Sequence, residues 1–205
     1  RAIDLLKGKI NQSPEDADVL AVLSHCYLLA DQVDLAKLYL DKATRIAPDN
    51  ASVGWNTARI TLKEQKPLEA LNVARDTNQR FSNDIEGMGV LGACLRANDE
   101  VAESLNVLDR AVELNPDYAE AFINRGFIRL SQENKPEALA DLEVAHRLKP
   151  HIRHIWDLVI GLKAELQGYS EAILLLNDMV KMDPKNYKRL ANLALCYQHL
   201  KDFKA

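Results

Sequence analysis

Small and apolar residues return along this chain at an interval of 34. Ala2, Ala36, Ala70, Ser104, Ala138 and Ala172 form one series, and Leu6, Leu40, Ala74, Leu108, Leu142 and Leu176 a second. Ser24, Ala58, Gly92, Gly126, Ile160 and Ala194 form a third, small except at Ile160. Pro14, Pro48, Pro116, Pro150 and Pro184 keep the same interval, with Ser82 where one proline is missing. A fixed period of this size is the signature of stacked repeats. With position 1 at Ala17, Ala51, Ile85, Ala119, Arg153 and Tyr187, the full repeats are 17–50, 51–84, 85–118, 119–152 and 153–186. Residues 1–16 are the tail of an earlier repeat and residues 187–205 the head of a later one, in a single array over 1–205.

Within a repeat the apolar positions recur three and four apart, which places them on one helix face. In 119–152 a first helix carries Phe122, Gly126 and Leu130, and a second carries Ala138, Leu142 and Ala145. The pattern predicts helix A over about positions 2–14 and helix B over about 18–31. Small residues at 8 and 20 let the two backbones approach, and proline at 32 ends helix B because it lacks an amide donor. Pro67 and Pro136, at positions 17 and 18, fall in the first turn of helix B, where that amide is unpaired anyway. The fold class is therefore all-α, a solenoid of antiparallel helix pairs with about twelve helices: one B, five pairs and one A. One pair cannot bury its own apolar face, so the core comes from stacking.

Composition narrows the function. The chain has 205 residues, 47% hydrophobic and 27% charged, with net charge −4. That balance excludes wholesale disorder and argues against nonspecific nucleic-acid binding. No apolar run is long enough to span a bilayer. Nothing directs the chain to a compartment, and the cytoplasm is the default expectation. The chain begins without Met inside a helix B and ends where another should begin, so it reads as a fragment of a longer protein. The final helix A would leave Leu190, Leu193, Ala194 and Tyr197 unpaired, and end-to-end self-association through them is an expectation.

Several motifs have structural readings. Gly87, Gly89 and Gly92 spell G-x-G-x-x-G. They follow a polar, turn-like stretch and fall inside helix A, not after a strand as a dinucleotide site requires. Gly92 has a packing role, while Gly87 and Gly89 mark either a soft repeat or a gap in the wall that admits a ligand chain. Cys26, Cys94 and Cys196 all occupy position 10 on different repeats, too far apart to bridge, and read as buried small residues. His146, Arg147, Lys149, His151, Arg153 and His154 form a basic cluster, much of it at a helix C-terminus, where cations complement the dipole. It reads as a solvated helix end or an acidic-partner contact. No metal, cofactor or catalytic constellation is found. The N-x-S sequons at Asn11 and Asn50 read as turn and cap residues.

The register resembles the tetratricopeptide repeat (TPR) family along the whole chain. Trp156 and Phe122 match its large residue at position 4, Leu23, Leu91 and Leu193 its Leu at 7, and Tyr27 and Tyr197 its aromatic at 11. Ala43, Ala111 and Ala145 match its Ala at 27. Gly54 at 4, Arg125 at 7, Ile160 at 8, and Thr61, Arg129 and Lys163 at 11 depart from the pattern and weaken single repeats. The resemblance implies a right-handed superhelix with helix A lining a concave groove that contacts ligands through positions 2, 5, 6, 9, 12 and 13. It implies a noncatalytic scaffold, without cofactor, that binds a protein or peptide. The groove candidates are Trp55, Asn56, Arg59, Lys63, Ile123, Asn124, Phe127, His154, Asp157 and Asn192, with Glu165 beside them. Trp55 next to Arg59 reads as an exposed hot spot. Asn56, Asn124 and Asn192 recur at position 6 of alternate repeats, and an amide can hold a peptide backbone. This is similar, at half density, to the asparagine ladder in the TPR arm of O-linked N-acetylglucosamine transferases. The alternative function is thus a substrate-recruiting arm of a larger enzyme, such as an O-linked glycosyltransferase. A purely structural or self-assembling array is a third reading. The set of residues that clamps chaperone C-termini in other members is missing.

Overall fold

Every segment with a helical apolar period forms a helix in the computed structural model, which describes residues 2–13, 15–182, 184, 185 and 187–202. Pro14 lies outside the described residues. The order is α1 (Ala2–Gln12), α2 (Ala17–Leu29), α3 (Val33–Ile46), α4 (Ala51–Lys63), α5 (Pro67–Arg80) and α6 (Ile85–Ala97). It continues through α7 (Val101–Leu114), α8 (Ala119–Ser131), α9 (Lys135–Leu148), α10 (Arg153–Leu166), α11 (Tyr169–Met182) and α12 (Tyr187–Asp202). Twelve helices and no strand occur among the described residues, so the chain is an all-α helical repeat fold. Each complete helix starts one residue earlier than the apolar period alone suggests.

The turn from helix A to helix B is the same in four repeats. Asp31, Gln65, Asp99 and Glu133, all at position 15, take left-handed φ values of 59° to 62°. After α2, the Asp31 amide donates to the Leu28 carbonyl (3.0 Å) and the Gln32 amide to the Tyr27 carbonyl (2.9 Å). These paired bonds satisfy the last carbonyls of helix A. The fifth repeat differs: α10 runs one residue longer and Gly168 takes the positive φ of 92°. At the end of helix B, proline at position 32 is dispensable. Phe81, followed by Ser82, caps α5 with φ −131°, just as Lys149, followed by Pro150, caps α9 with φ −131°.

Close approach of the paired helices requires small residues. A Cβ on Gly92 would lie 2.6 Å from Leu108 Cδ2, and one on Gly126 would lie 2.9 Å from Leu142 Cγ. Ser24 Oγ donates across the same crossing to the Ala36 carbonyl (2.8 Å), and Ser104 Oγ donates the opposite way to the Gly92 carbonyl (2.7 Å). Three departures from the expected pattern turn out to be compensated. Gly54 stands where a large residue is usual because Thr77 fills that space, with Oγ1 2.4 Å from the position of a Gly54 Cβ. Arg125 and Arg129 replace apolar residues because both reach the buried Asp141. Arg125 binds it bidentately (2.9 and 2.6 Å), and Arg129 Nη1 donates at 2.6 Å. The buried carboxylate is thereby matched by charged donors, as burial of a charge demands.

The helices fall into two compact units, Arg1–Asn115 and Pro116–Ala205. In the first, α2 packs on α3, α4 on α5 and α6 on α7, and the A helices also abut one another, α2 on α4 and α4 on α6. Its cores gather Leu20, Leu23, Leu40 and Val53 in one cluster and Trp55, Leu71, Val90 and Leu95 in the next. In the second unit, α8 packs on α9, α9 on α10, α10 on α11 and α11 on α12. Trp156, Ile160, Leu176 and Met179 form its core around α10 and α11.

Candidate partner-binding face

The candidate contacts lie on the A helices of each unit, and the two sets differ in chemistry. In the first unit, α4 carries a polar string that bonds within the protein. Asn56 is buried, and its Nδ2 donates to the Ala21 carbonyl of α2 (2.8 Å). Arg59 Nη1 donates to Asn56 Oδ1 (2.9 Å), and Arg59 Nη2 donates to Glu86 Oε1 of α6 (2.7 Å). Lys63, one turn further on, pairs with Asp31 at 2.8 Å, and its ammonium holds the Asp31 carboxyl below the usual range by hydrogen bonding and charge.

Trp55 corrects the expectation of an exposed hot spot. The residue is 1% exposed, and its indole Nε1 donates to Asp84 Oδ2 at 2.7 Å. The ring occupies the space above Gly87, where a Cβ would sit 2.1 Å from Trp55 Cζ2. Gly87 is thus neither a soft point nor an opening for a ligand; it is the seat of the indole. Asp84 also caps α6, accepting from the Glu86 and Gly87 amides. One carboxylate therefore serves the cap and the indole together. Asn56 is withdrawn from the list of ligand contacts for the same kind of reason, since its amide is already bonded on both sides.

The remaining candidates keep some exposure. Ile123, Asn124 and Phe127 are half-buried on α8, His154 and Asp157 are exposed on α10, and Asn192 is half-buried on α12. Glu165 is exposed and pairs with Lys135. Position 9 of α10 is Gly161, with no atom within 4 Å of where its Cβ would be. Sequence reasoning passed over exposed apolar residues on the A helices of each unit. Val22 at position 6 and Leu29 at position 13 of α2 are 47% and 74% exposed, and Leu195 at position 9 of α12 is 53% exposed. Their signal was an apolar residue at a position that packing does not use. Of the α12 residues expected to be unpaired, Leu193 packs on the α10–α11 core, while Leu190, Ala194 and Tyr197 are exposed.

Two of the thiols, those of Cys94 and Cys196, are buried. Burial pushes the Cys94 thiol up to about 12, with Arg59 acting weakly the other way, and burial also raises that of Cys196. No group of metal-ligating side chains occurs among the described residues, and no helix among them is long and apolar enough to cross a membrane. Asn50 of the second sequon uses its side chain as a cap, accepting from the Val53 amide (3.3 Å) and donating to Asp18 (2.7 Å).

Residues 1–56 match the model of the tetratricopeptide repeat family. Trd-1, a tetratricopeptide repeat-containing protein of Caenorhabditis elegans, is 23% identical over 186 residues. The match covers 90% of this chain but spans only 23% of that relative's length. Among solved structures, a thermophilic TPR protein of Thermus thermophilus superposes with a TM-score of 0.71 at 20% identity, covering 89% of this chain and 99% of that one. YrrB, a TPR protein with an unusual peptide-binding site, superposes with a TM-score of 0.53 at 18% identity, covering 91% and 96%. Likeness at these identities concerns the fold.

Proposed function

We propose that this chain, a tetratricopeptide repeat protein by family match, relative and fold, is a noncatalytic interaction scaffold that holds an extended peptide or partner segment on its A-helix face. The observation that carries this reading is the exposure of Val22, Leu29 and Leu195 at A-helix positions, together with the half-buried Ile123 and Phe127. Apolar side chains left out of the core at one recurrent set of positions support association with a partner. YrrB, which shares the fold, is described by a peptide-binding site, and this supports the same use here. The unbroken 34-residue interval supports reading 1–205 as one array. The enzyme-arm alternative rested on the asparagine series, and Asn56 no longer contributes to it. End-to-end pairing through Leu190 and Tyr197 is a subsidiary proposal, excluded by a concentration-independent monomer in sedimentation.

The test is a peptide array probed with the purified protein and with a Val22→Lys, Leu29→Lys variant. Both residues are exposed, so helicity should be unchanged. Loss of most array signal in the variant supports the reading, and an unchanged array contradicts it.

A further inference from the structure

Many of the long cations among the described residues pair with carboxylates of this protein. Lys37 and Lys66 pair with Glu64, Arg75 with Glu100 and Glu103, and Arg80 with Asp49 and Asp76. Lys149 pairs with Glu120, and Lys163 with Glu143. The turn between α9 and α10 is different. Arg147, His151, Arg153 and His154 are all exposed within eight residues, and no ion pair of any of them is found among the described residues. The stretch 144–156 contains no acidic residue.

Helix dipoles explain only part of this. Arg147 closes α9, where a cation is favourable, but Arg153 and His154 open α10, where it is not. The starts of α2 and α6 carry acids there instead, Asp16 with Asp18 and Asp84 with Glu86. One unfavourably placed cation, Arg153, thus stands where folding alone would prefer a carboxylate.

The turn is also held from inside. Trp156 Nε1 donates to the Pro150 carbonyl at 2.5 Å, the Ile152 amide donates to the Lys149 carbonyl at 3.2 Å, and the His146 ring lies edge-on against Trp156 with centroids 3.8 Å apart. Arg147 and Arg153 therefore flank a fixed turn, which lowers the ordering cost of meeting a charged partner.

From these observations we infer that the α9–α10 turn is a docking surface for an acidic protein segment, which shares His154 with the A-helix candidates but rests on Arg147 and Arg153 and not on the apolar contacts proposed above. A polypeptide fits better than a nucleic acid. The aromatic ring beside the turn, Trp156, is buried and offers no platform on which a base could stack.

The experiment is fluorescence anisotropy with a labelled peptide of ten alternating Asp and Glu residues, against the whole chain, at low and at physiological salt. The result expected is saturable binding that weakens with salt. Arg147→Glu, Arg153→Glu should bind about tenfold more weakly, the scale of several exposed ion pairs lost together. Arg45→Glu, at an exposed cation of the other unit, should bind as the parent does. Circular dichroism of the reversal variant should match the parent. If the reversal variant unfolds, Arg147→Gln, Arg153→Gln carries the same comparison. No binding at low salt, equal binding by parent and reversal variant, or tighter binding of an oligouridylate or of phosphatidylserine vesicles than of the peptide would each overturn the inference. A variant altered at Val22 and Leu29 should keep this binding, so failure of one surface is distinguishable from failure of the other.

Discussion

The A helices of the two units begin in different ways. In Arg1–Asn115, the residue before each A helix is Asp16, Asn50 or Asp84, and each side chain accepts a first-turn amide. Among the described residues of Pro116–Ala205, those before α8 and α10 are Tyr118 and Ile152, and neither makes a side-chain cap bond, while the residue before α12 lies outside the described residues. The first unit carries this further, with Asp84 binding an indole as well and Asn56 and Arg59 tying α2, α4 and α6 together. The second unit concentrates its buried polar bonding at Asp141 and leaves the α9–α10 turn with exposed cations. Residues of recognition type, Trp, Asn and Arg, are structural in the first unit because a neighbouring repeat already satisfies them. A polar side chain informs about a partner only when the fold leaves it something to bind.

The largest effect that tests this contrast is Trp55→Ala. A buried indole with a carboxylate partner should cost about 3–5 kcal/mol when removed, read by denaturant unfolding of the first unit. A loss below about 1 kcal/mol would return Trp55 to the surface role it was first given. Next comes Asp84→Ala, which removes a cap and the indole's acceptor together. It should cost about 2 kcal/mol and raise amide exchange in the first turn of α6. A neutral result would mean that the caps do not distinguish the units. Smaller again are Asp99→Gly and Glu133→Gly, one in each unit at the same left-handed turn position. Each should stabilise by up to about 1 kcal/mol, because relief of strain outweighs the entropy glycine adds to the unfolded chain. Unequal gains would show that the turns differ after all.

The smallest effect concerns pH. Burial lowers the pKa of His146 in the second unit, with Glu143 acting the other way. The unfolded chain then binds the proton more readily than the folded one, so this part of the stability is present above the ordinary value of 6.5 and falls as pH drops below it. Hydrogen exchange of α9 and α10 should quicken between pH 7 and pH 5, after correction for intrinsic rates. His146→Phe should remove that component, and an unchanged pH dependence in the variant would discount it.

Much of the fold was legible because repeat spacing and size constraints act within one repeat. The small residue at position 8 faces position 24 of the same helix pair, so Gly92 and Gly126 could be assigned from sequence and are confirmed by Leu108 and Leu142. The end of helix B was also legible, even where Ser82 replaces proline. What stayed hidden depends on contacts between repeats or on paired substitutions. Trp55 rests on Gly87 of the next repeat, and Asn56 bonds to Ala21 of the previous one. Single positions, read against a family pattern, assigned these residues to a groove. Gly54 with Thr77, and Arg125 and Arg129 with Asp141, looked like isolated departures for the same reason. The second half of each compensation lies on another helix, at a position whose own identity is unremarkable.

The proposed division of labour is that exposed apolar residues of the A helices bind a partner, while the polar string of α4 only holds helices together. It is tested most directly by titrating one array-selected peptide against Asn56→Ala and against Val22→Lys, Leu29→Lys. Asn56→Ala should lose about 1–3 kcal/mol of stability with its affinity unchanged, and the double variant should keep its stability and bind at least about tenfold more weakly. The reverse pattern, with affinity lost at Asn56 and retained at Val22 and Leu29, would contradict it.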